Sequence, residues 1–253
     1  MKKRRLFSLF LSFSLLLPLF SLTSADAYED FDLDAKAGLL IEADTGEILY
    51  EKNAHQENFP ASLTKVMVAL LVFEAIDEGK IALTDSVTAT ESAFEGLSSD
   101  GSTANIVPGE TMTVEQLLNC MLIVSANEAC NILGETLYGS VDAFVARMNE
   151  RATELGCEHT HFANATGLHN SQHYTTAWDL YLITREALKH DKFMEICNSK
   201  SYTVPATNMT DKPRELHSTN FLISNWRARG YVYRDAQGIK TGSTPEAGYC
   251  LIS

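Results

Sequence analysis

At 253 residues, 45% of them hydrophobic, the chain can bury one large core or two modest ones. A formal net charge of −13, with no basic block to offset it, argues against nucleic acid or anionic lipid as the main partner. Lys2-Lys3-Arg4-Arg5 gives the chain a positive start, and an apolar run interrupted by Pro18 follows from Leu6 to Phe20. Ala25-Asp26-Ala27 then places small residues at the cleavage positions, so a secretory signal peptide is expected over 1–27, cut after Ala27. The alternative, a membrane anchor, needs ~20 apolar residues, and this run is shorter. Export would make the five cysteines (Cys120, Cys130, Cys157, Cys197, Cys250) candidates for bridges. Their odd count cannot pair completely, and their spacings fit neither a zinc site nor C-x-x-C. Most are expected to be free, buried, small hydrophobes.

Residues 37–53 predict a hairpin, with two apolar runs flanking the turn signal Asp44-Thr45-Gly46. A helix is predicted from Ser62 to Glu78, with Pro60 near its start and Gly79 just past its end. Because Val66 to Phe73 is apolar on every face, this helix belongs at the centre of the domain. Val114 to Val124 and Glu128 to Tyr138 carry helical periodicity, and Ser125-Ala126-Asn127 interrupts them at a bend. Helices are also predicted over Val141–Leu155 and Thr176–Lys189, with an ordered loop rich in His, Asn and Gly between them. Beyond Tyr202 the pattern turns extended, with strands at Gly238–Gly242 and Tyr249–Ile252. Strands at both ends with helices between them predict an α+β fold whose terminal strands meet in one antiparallel sheet. The chain stops at Ser253 inside the last of these strands, so the sequence is expected to be a fragment of a longer product.

Three segments carry the chemistry: Ser62-Leu63-Thr64-Lys65, Ser125-Ala126-Asn127 and Lys240-Thr241-Gly242. With 20 serines and 11 lysines, about one Ser-x-x-Lys is expected by chance, so order and context decide. A serine hydroxyl needs a base to become a nucleophile, and Lys65 lies one helical turn from Ser62. Lysine serves as a base when burial and a second cation, here Lys240, depress its pKa. A lysine inside an apolar helix is costly unless paired, which favours this reading over a snorkelling surface lysine. Ser125 would relay a proton between Lys65 and a leaving amine, and Asn127 would fix the substrate amide or Lys65 itself. The alternative for Ser125 and Asn127 is a helix cap. Lys240 and Thr241 would offer a cation and a hydroxyl pointing one way, and Gly242 would let a ligand approach the strand. An extended peptide could add along that edge, its carboxylate held by Lys240 and Thr241. The backbone N–H groups of Ser62 and Ser243 are the natural oxyanion donors.

S-x-x-K followed by a Ser-x-Asn variant of S-D-N and by K-T-G is the set shared by class A β-lactamases and penicillin-binding proteins. The wider context, PASLTKVM, MLIVSANEAC, FANATGLH, HYTTAWDL and GIKTGSTPEAGYC, resembles the serine D-alanyl-D-alanine carboxypeptidases over roughly residues 37–253. The resemblance implies a β-lactamase/transpeptidase-like fold with a helical subdomain, and a catalytic domain over 28–253 incomplete at its C-terminus. It implies an exported enzyme of the bacterial envelope that removes the terminal D-Ala of peptidoglycan pentapeptides through an acyl-enzyme on Ser62, and that β-lactams acylate the same serine. In this mapping Lys65 is the base, Ser125 and Asn127 are the relay and positioning pair, and Lys240, Thr241, Gly242 and Ser243 line the substrate site. No cofactor or metal is implied, and nucleic acid is not a partner. Family members usually continue through further strands, a closing helix, a β-rich domain and an amphipathic tail, so any membrane contact would come through a segment absent from this sequence.

Several rival readings have discriminating features. A class A-type β-lactamase would need a Glu-x-x-x-Asn pattern after the second motif. Here Thr160 stands four residues before Asn164, and Glu158 is out of register by two. A non-catalytic penicillin-binding wall module would not need the intact set Ser62, Lys65, Ser125 and Lys240. Ser218-Thr219-Asn220 also fits Ser-x-Asn, but it lies only 22 residues before Lys240, so Ser218 is assigned to a structural turn. His159, His161, His169 and His173 have ligand-like spacing but lack an H-E-x-x-H frame, and they are read as loop and packing residues.

Overall fold

The computed structural model describes residues 33–253, so the predicted signal peptide lies outside the described residues. Residues 35–253 form one compact unit. It opens with the predicted hairpin, β1 (Gly38–Ile41) pairing antiparallel with β2 (Ile48–Lys52) in the register Gly38↔Lys52 and Leu40↔Tyr50. Glu42 closes the turn, its carboxylate accepting from the N–H and hydroxyl of Thr45 at 2.6 Å each.

The helix predicted from Ser62 starts differently. Ala61–Thr64 is a 3₁₀ turn after Pro60, and α1 runs from Lys65 to Asp77. The tighter turn has a local cause, because the Thr64 hydroxyl donates to the Ala61 carbonyl at 2.8 Å and competes with the α-helical ladder. Lys65 to Phe73 and Ala75 are all buried, as a helix apolar on every face requires. Around α1 pack α2 (Val114–Ile123), α3 (Asn127–Tyr138), α4 (Val141–Glu154) and α5 (Ala177–Ala187), with α6 (Asp191–Cys197) against α2. Three of these starts are capped by side chains: Thr113 and Gln116 form a capping box on α2, Ser140 caps α4 and Thr176 caps α5.

Short ladders decorate this helical core. β3 (Ser86–Thr88) pairs with β4 (Thr111–Thr113), and β5 (Ser201–Val204) with β6 (Arg214–His217). β7 (Lys240–Thr244) pairs with β8 (Gly248–Ile252), all of them antiparallel. The terminal strands therefore do not meet in one sheet, contrary to the sequence expectation: among the described residues, β1–β2 and β7–β8 are separate two-stranded ladders. The 3₁₀ turn packs against both strands of the C-terminal hairpin. The five cysteines are free, four of them buried and Cys250 half-buried, as expected from their number and spacing.

Candidate active site

The three sequence segments converge where the 3₁₀ turn, the α2–α3 bend and β7 meet. Lys65 is completely buried at the start of α1. Its Nζ lies 3.1 Å from Ser62 Oγ, 2.9 Å from Asn127 Oδ1 and 2.6 Å from the Thr166 carbonyl. Burial pushes its pKa below the usual lysine range. The partners fix the direction of the remaining lone pair. A carboxamide oxygen and a backbone carbonyl can only accept, so a neutral Lys65 donates its two N–H groups to Asn127 and Thr166. Of the three partners, the Ser62 hydroxyl is the one that can donate in return. The arrangement thus aims an amine lone pair at a serine proton, which is the geometry of general-base activation.

The bend between α2 and α3 is conformationally unusual. Ser125 has φ +66°, a left-handed backbone without glycine's freedom. Its hydroxyl is buried and has no hydrogen-bond partner among the described residues. The contact to Lys65 expected of Ser125 is not made, because the lysine's three hydrogen bonds go to Ser62, Asn127 and Thr166. An orphaned buried hydroxyl costs about 1–3 kcal/mol, and orphan and strained backbone coincide at one residue. Behind Lys65, Cys130 donates to the Ala126 carbonyl, and burial pushes its thiol up to about 11.

On the strand side, Lys240 is buried and donates to the Thr241 carbonyl at 2.7 Å. Burial first, and the neighbouring Lys65 cation second, pull its pKa down to about 7. Side chains alternate along a strand, so Lys240 and Thr241 leave opposite faces, correcting the expectation that both point one way. The Thr241 hydroxyl instead meets that of Thr219 at 2.6 Å. Gly242 faces the nucleophile turn so closely that a Cβ there would lie 2.9 Å from Ser62 N and 3.2 Å from Ala61 Cβ. Ser243 is exposed on the same strand.

Several supporting residues were not singled out from the sequence. Thr166 presents its carbonyl because Asn164 Oδ1 accepts from the N–H groups of Thr166 and Gly167 and from the Thr166 hydroxyl, curling the backbone into a turn. Buried Glu128 ties the 103–106 loop to α3 through Thr103, Ala104 and Ile106. Thr219 links two motifs, since its N–H donates to the Ile123 carbonyl at 3.3 Å while its hydroxyl meets Thr241. The Ser-x-Asn pattern at 218–220 draws attention to this segment. As assigned, Ser218 serves a turn, its hydroxyl accepting from Asn220 N–H. The histidines hold local partners: His159 meets Glu57, His161 the Gln172 carbonyl, His169 the Phe59 ring and His173 the Thr64 hydroxyl.

This geometry agrees with relationships across the whole chain. A family model described as D-alanyl-D-alanine carboxypeptidase (Peptidase_S11) matches residues 23–253. The chain belongs to this family. It is 40% identical over 220 residues to the D-alanyl-D-alanine carboxypeptidase DacF of Bacillus subtilis, covering 87% of this chain and 54% of that protein. Identity to the D-alanyl-D-alanine carboxypeptidase DacC of Escherichia coli is 33% over 226 residues, covering 87% and 53%. The chain thus spans about half the length of these curated relatives. The crystal structure of the Streptomyces K15 DD-transpeptidase matches with a TM-score of 0.77 at 32% identity, covering 87% of this chain and 84% of that one. As a carboxypeptidase-family chain it therefore has the fold of the DD-peptidases and transpeptidases, which share mixed helices and antiparallel strands.

Proposed function

We propose that this chain is the catalytic domain of a serine D-alanyl-D-alanine carboxypeptidase acting on peptidoglycan stem pentapeptides. The observation that carries the reading is the fully buried Lys65 amine 3.1 Å from Ser62 Oγ, with its two other partners obligate acceptors. Ser62 Oγ attacks the carbonyl of the penultimate D-Ala while Lys65 takes the hydroxyl proton. The tetrahedral oxyanion is held by the N–H groups of Ser62 and Ser243. Ser125 gives its own hydroxyl proton to the departing D-Ala amine as the C–N bond breaks and takes the proton held by Lys65 in exchange, a contact that forms once substrate engages its orphaned hydroxyl. Asn127 fixes Lys65. Thr241 contacts the terminal carboxylate through its hydroxyl, and Lys240 supplies positive charge from beneath the strand. With a pKa near 7 in the empty site, Lys240 gains its proton fully when that carboxylate arrives. Water then hydrolyses the ester and regenerates Ser62.

The same serine is the site of acylation by β-lactams. With no Glu-x-x-x-Asn glutamate to activate water, the penicilloyl-enzyme persists. Residues 1–27 act as a signal peptide, and the enzyme works in the bacterial envelope. The test is D-Ala release from a diacyl-D-Ala-D-Ala peptide by the whole protein, abolished in Ser62→Ala together with covalent labelling by a fluorescent penicillin. Labelling that survives the substitution overturns the assignment, and rapid penicillin turnover replaces it with a β-lactamase.

A further inference from the structure

The residues that hold Lys65 are accounted for by the proposed chemistry, but a second buried chain of hydrogen bonds in the same place is not. It involves His173 and Thr64, both buried, and ends on the peptide that precedes the nucleophile. Ala163 N–H donates to His173 Nδ1 at 3.0 Å. A backbone N–H can only donate, so Nδ1 carries the lone pair and the ring proton sits on Nε2. Nε2 lies 2.8 Å from Thr64 Oγ1, which therefore accepts from it. The single Thr64 hydroxyl proton goes to the Ala61 carbonyl at 2.8 Å. Donation thus runs one way, from the 163–173 loop through imidazole and hydroxyl to the oxygen of residue 61.

That oxygen belongs to a particular amide. The Ala61 C=O and the Ser62 N–H are the two ends of one planar peptide unit, so fixing the first fixes the direction of the second. The unit is under tension: Ala61 has φ +48°, a left-handed conformation that an alanine does not adopt unaided. Gly167 closes the other side, where a Cβ would lie 1.9 Å from the Ala61 oxygen and 2.9 Å from Ser62 N. A hydrogen bond accepted at a carbonyl also polarises the N–H across the same amide, strengthening it as a donor.

We propose that His173 and Thr64 are positioning residues that aim and polarise the Ser62 N–H as an oxyanion donor, through the Ala61–Ser62 peptide. Neither touches the substrate; both act through the amide they hold. The inference rests on the carboxypeptidase reading, because it takes Ser62 N–H to face a developing oxyanion.

The experiment compares Thr64→Val, which keeps the shape and removes both hydrogen bonds, with Thr64→Ser, which keeps them. Each is measured in the whole protein for D-Ala release and for the rate of acylation by a fluorescent penicillin, at a temperature where melting curves show both folded. Losing one oxyanion donor outright costs roughly 10²–10³-fold; a misdirected donor should cost Thr64→Val ~10–100-fold in kcat with KM within about threefold. Thr64→Ser should return to within about threefold of the parent. His173→Leu should lower kcat similarly, and adding it to Thr64→Val should cost little more, since both cut one chain. His173→Gln, which retains an N–H toward Thr64, covers the case in which the leucine variant does not fold, and should fall between parent and Thr64→Val. Wild-type kcat in folded Thr64→Val, a loss confined to KM, failure of serine to rescue, or additive losses in the double variant would each overturn the inference. A parent that neither releases D-Ala nor takes up penicillin would instead sink the carboxypeptidase reading.

Discussion

The two walls of the site are built by different means. The helical wall is a lattice of directed hydrogen bonds: Lys65 is held by two obligate acceptors and the Ser62 hydroxyl, and Thr64 and His173 fix the turn before it. The strand wall has few such bonds. Among the described residues Lys240 reaches only its neighbour's carbonyl, and β7 is seated by the bare backbone of Gly242 against Ser62. The first wall fixes where protons sit, which demands direction; the second fixes how close a ligand can lie, which demands absence of bulk.

Substitutions can break that comparison at points of decreasing leverage. Lys65→Gln should lower acylation ~10²–10⁴-fold, the usual worth of a general base, with a melting temperature near the parent's. A loss under tenfold in stopped-flow acylation would mean the helical wall does not govern the proton. Next in size, Gly242→Ala forces a methyl to 2.9 Å from Ser62 N and should slow acylation ~10–100-fold by displacing the strand. Unchanged kinetics would show that the strand wall tolerates bulk after all.

A third test concerns stability. Burial first, and then the charges of His161, Lys65 and His169, depress His173 from 6.5 to about 4. Folded His173 therefore stays neutral where the unfolded chain binds a proton, so its contribution falls as pH drops from 6.5 toward 4 and is level below that. At pH 5 the penalty is about 2 kcal/mol. Urea melts of His173→Gln should lack this part of the acid slope, and a slope equal to the parent's would place the acid sensitivity elsewhere. The smallest effect is expected from Thr241→Val, which should raise KM a few-fold and leave kcat within about twofold. A kcat loss larger than the KM change would give the strand wall a chemical role it is not assigned here.

Much of this was visible in the residue string, for reasons that can be named. Ser62, Lys65, Asn127 and Lys240 announce themselves by side-chain chemistry, and an all-apolar helix around Lys65 has nowhere to go but the centre. The Thr166 contribution was illegible because it is a backbone carbonyl, which every residue carries. The left-handed alanine at 61 and serine at 125 escaped notice because neither residue type advertises that conformation, as glycine would. A single terminal sheet does not follow from the sequence because period-2 patterning identifies strands but not their partners. Asp179 lies in the first turn of α5. What it does, accepting from His159 N–H and the Thr160 hydroxyl to brace the loop, required the fold.

Cys130 has a practical consequence. Its sulfur is buried near Lys65 and held silent by the same burial that tunes the amine. Cys130 and Asn127 lie one turn apart on α3, so lifting α3 far enough for a thiol-directed reagent to reach the sulfur also pulls Asn127 from Lys65. The rate at which the peptide containing Cys130 becomes alkylated is therefore a native clock for how often α3 lifts from the pocket, readable by mass mapping.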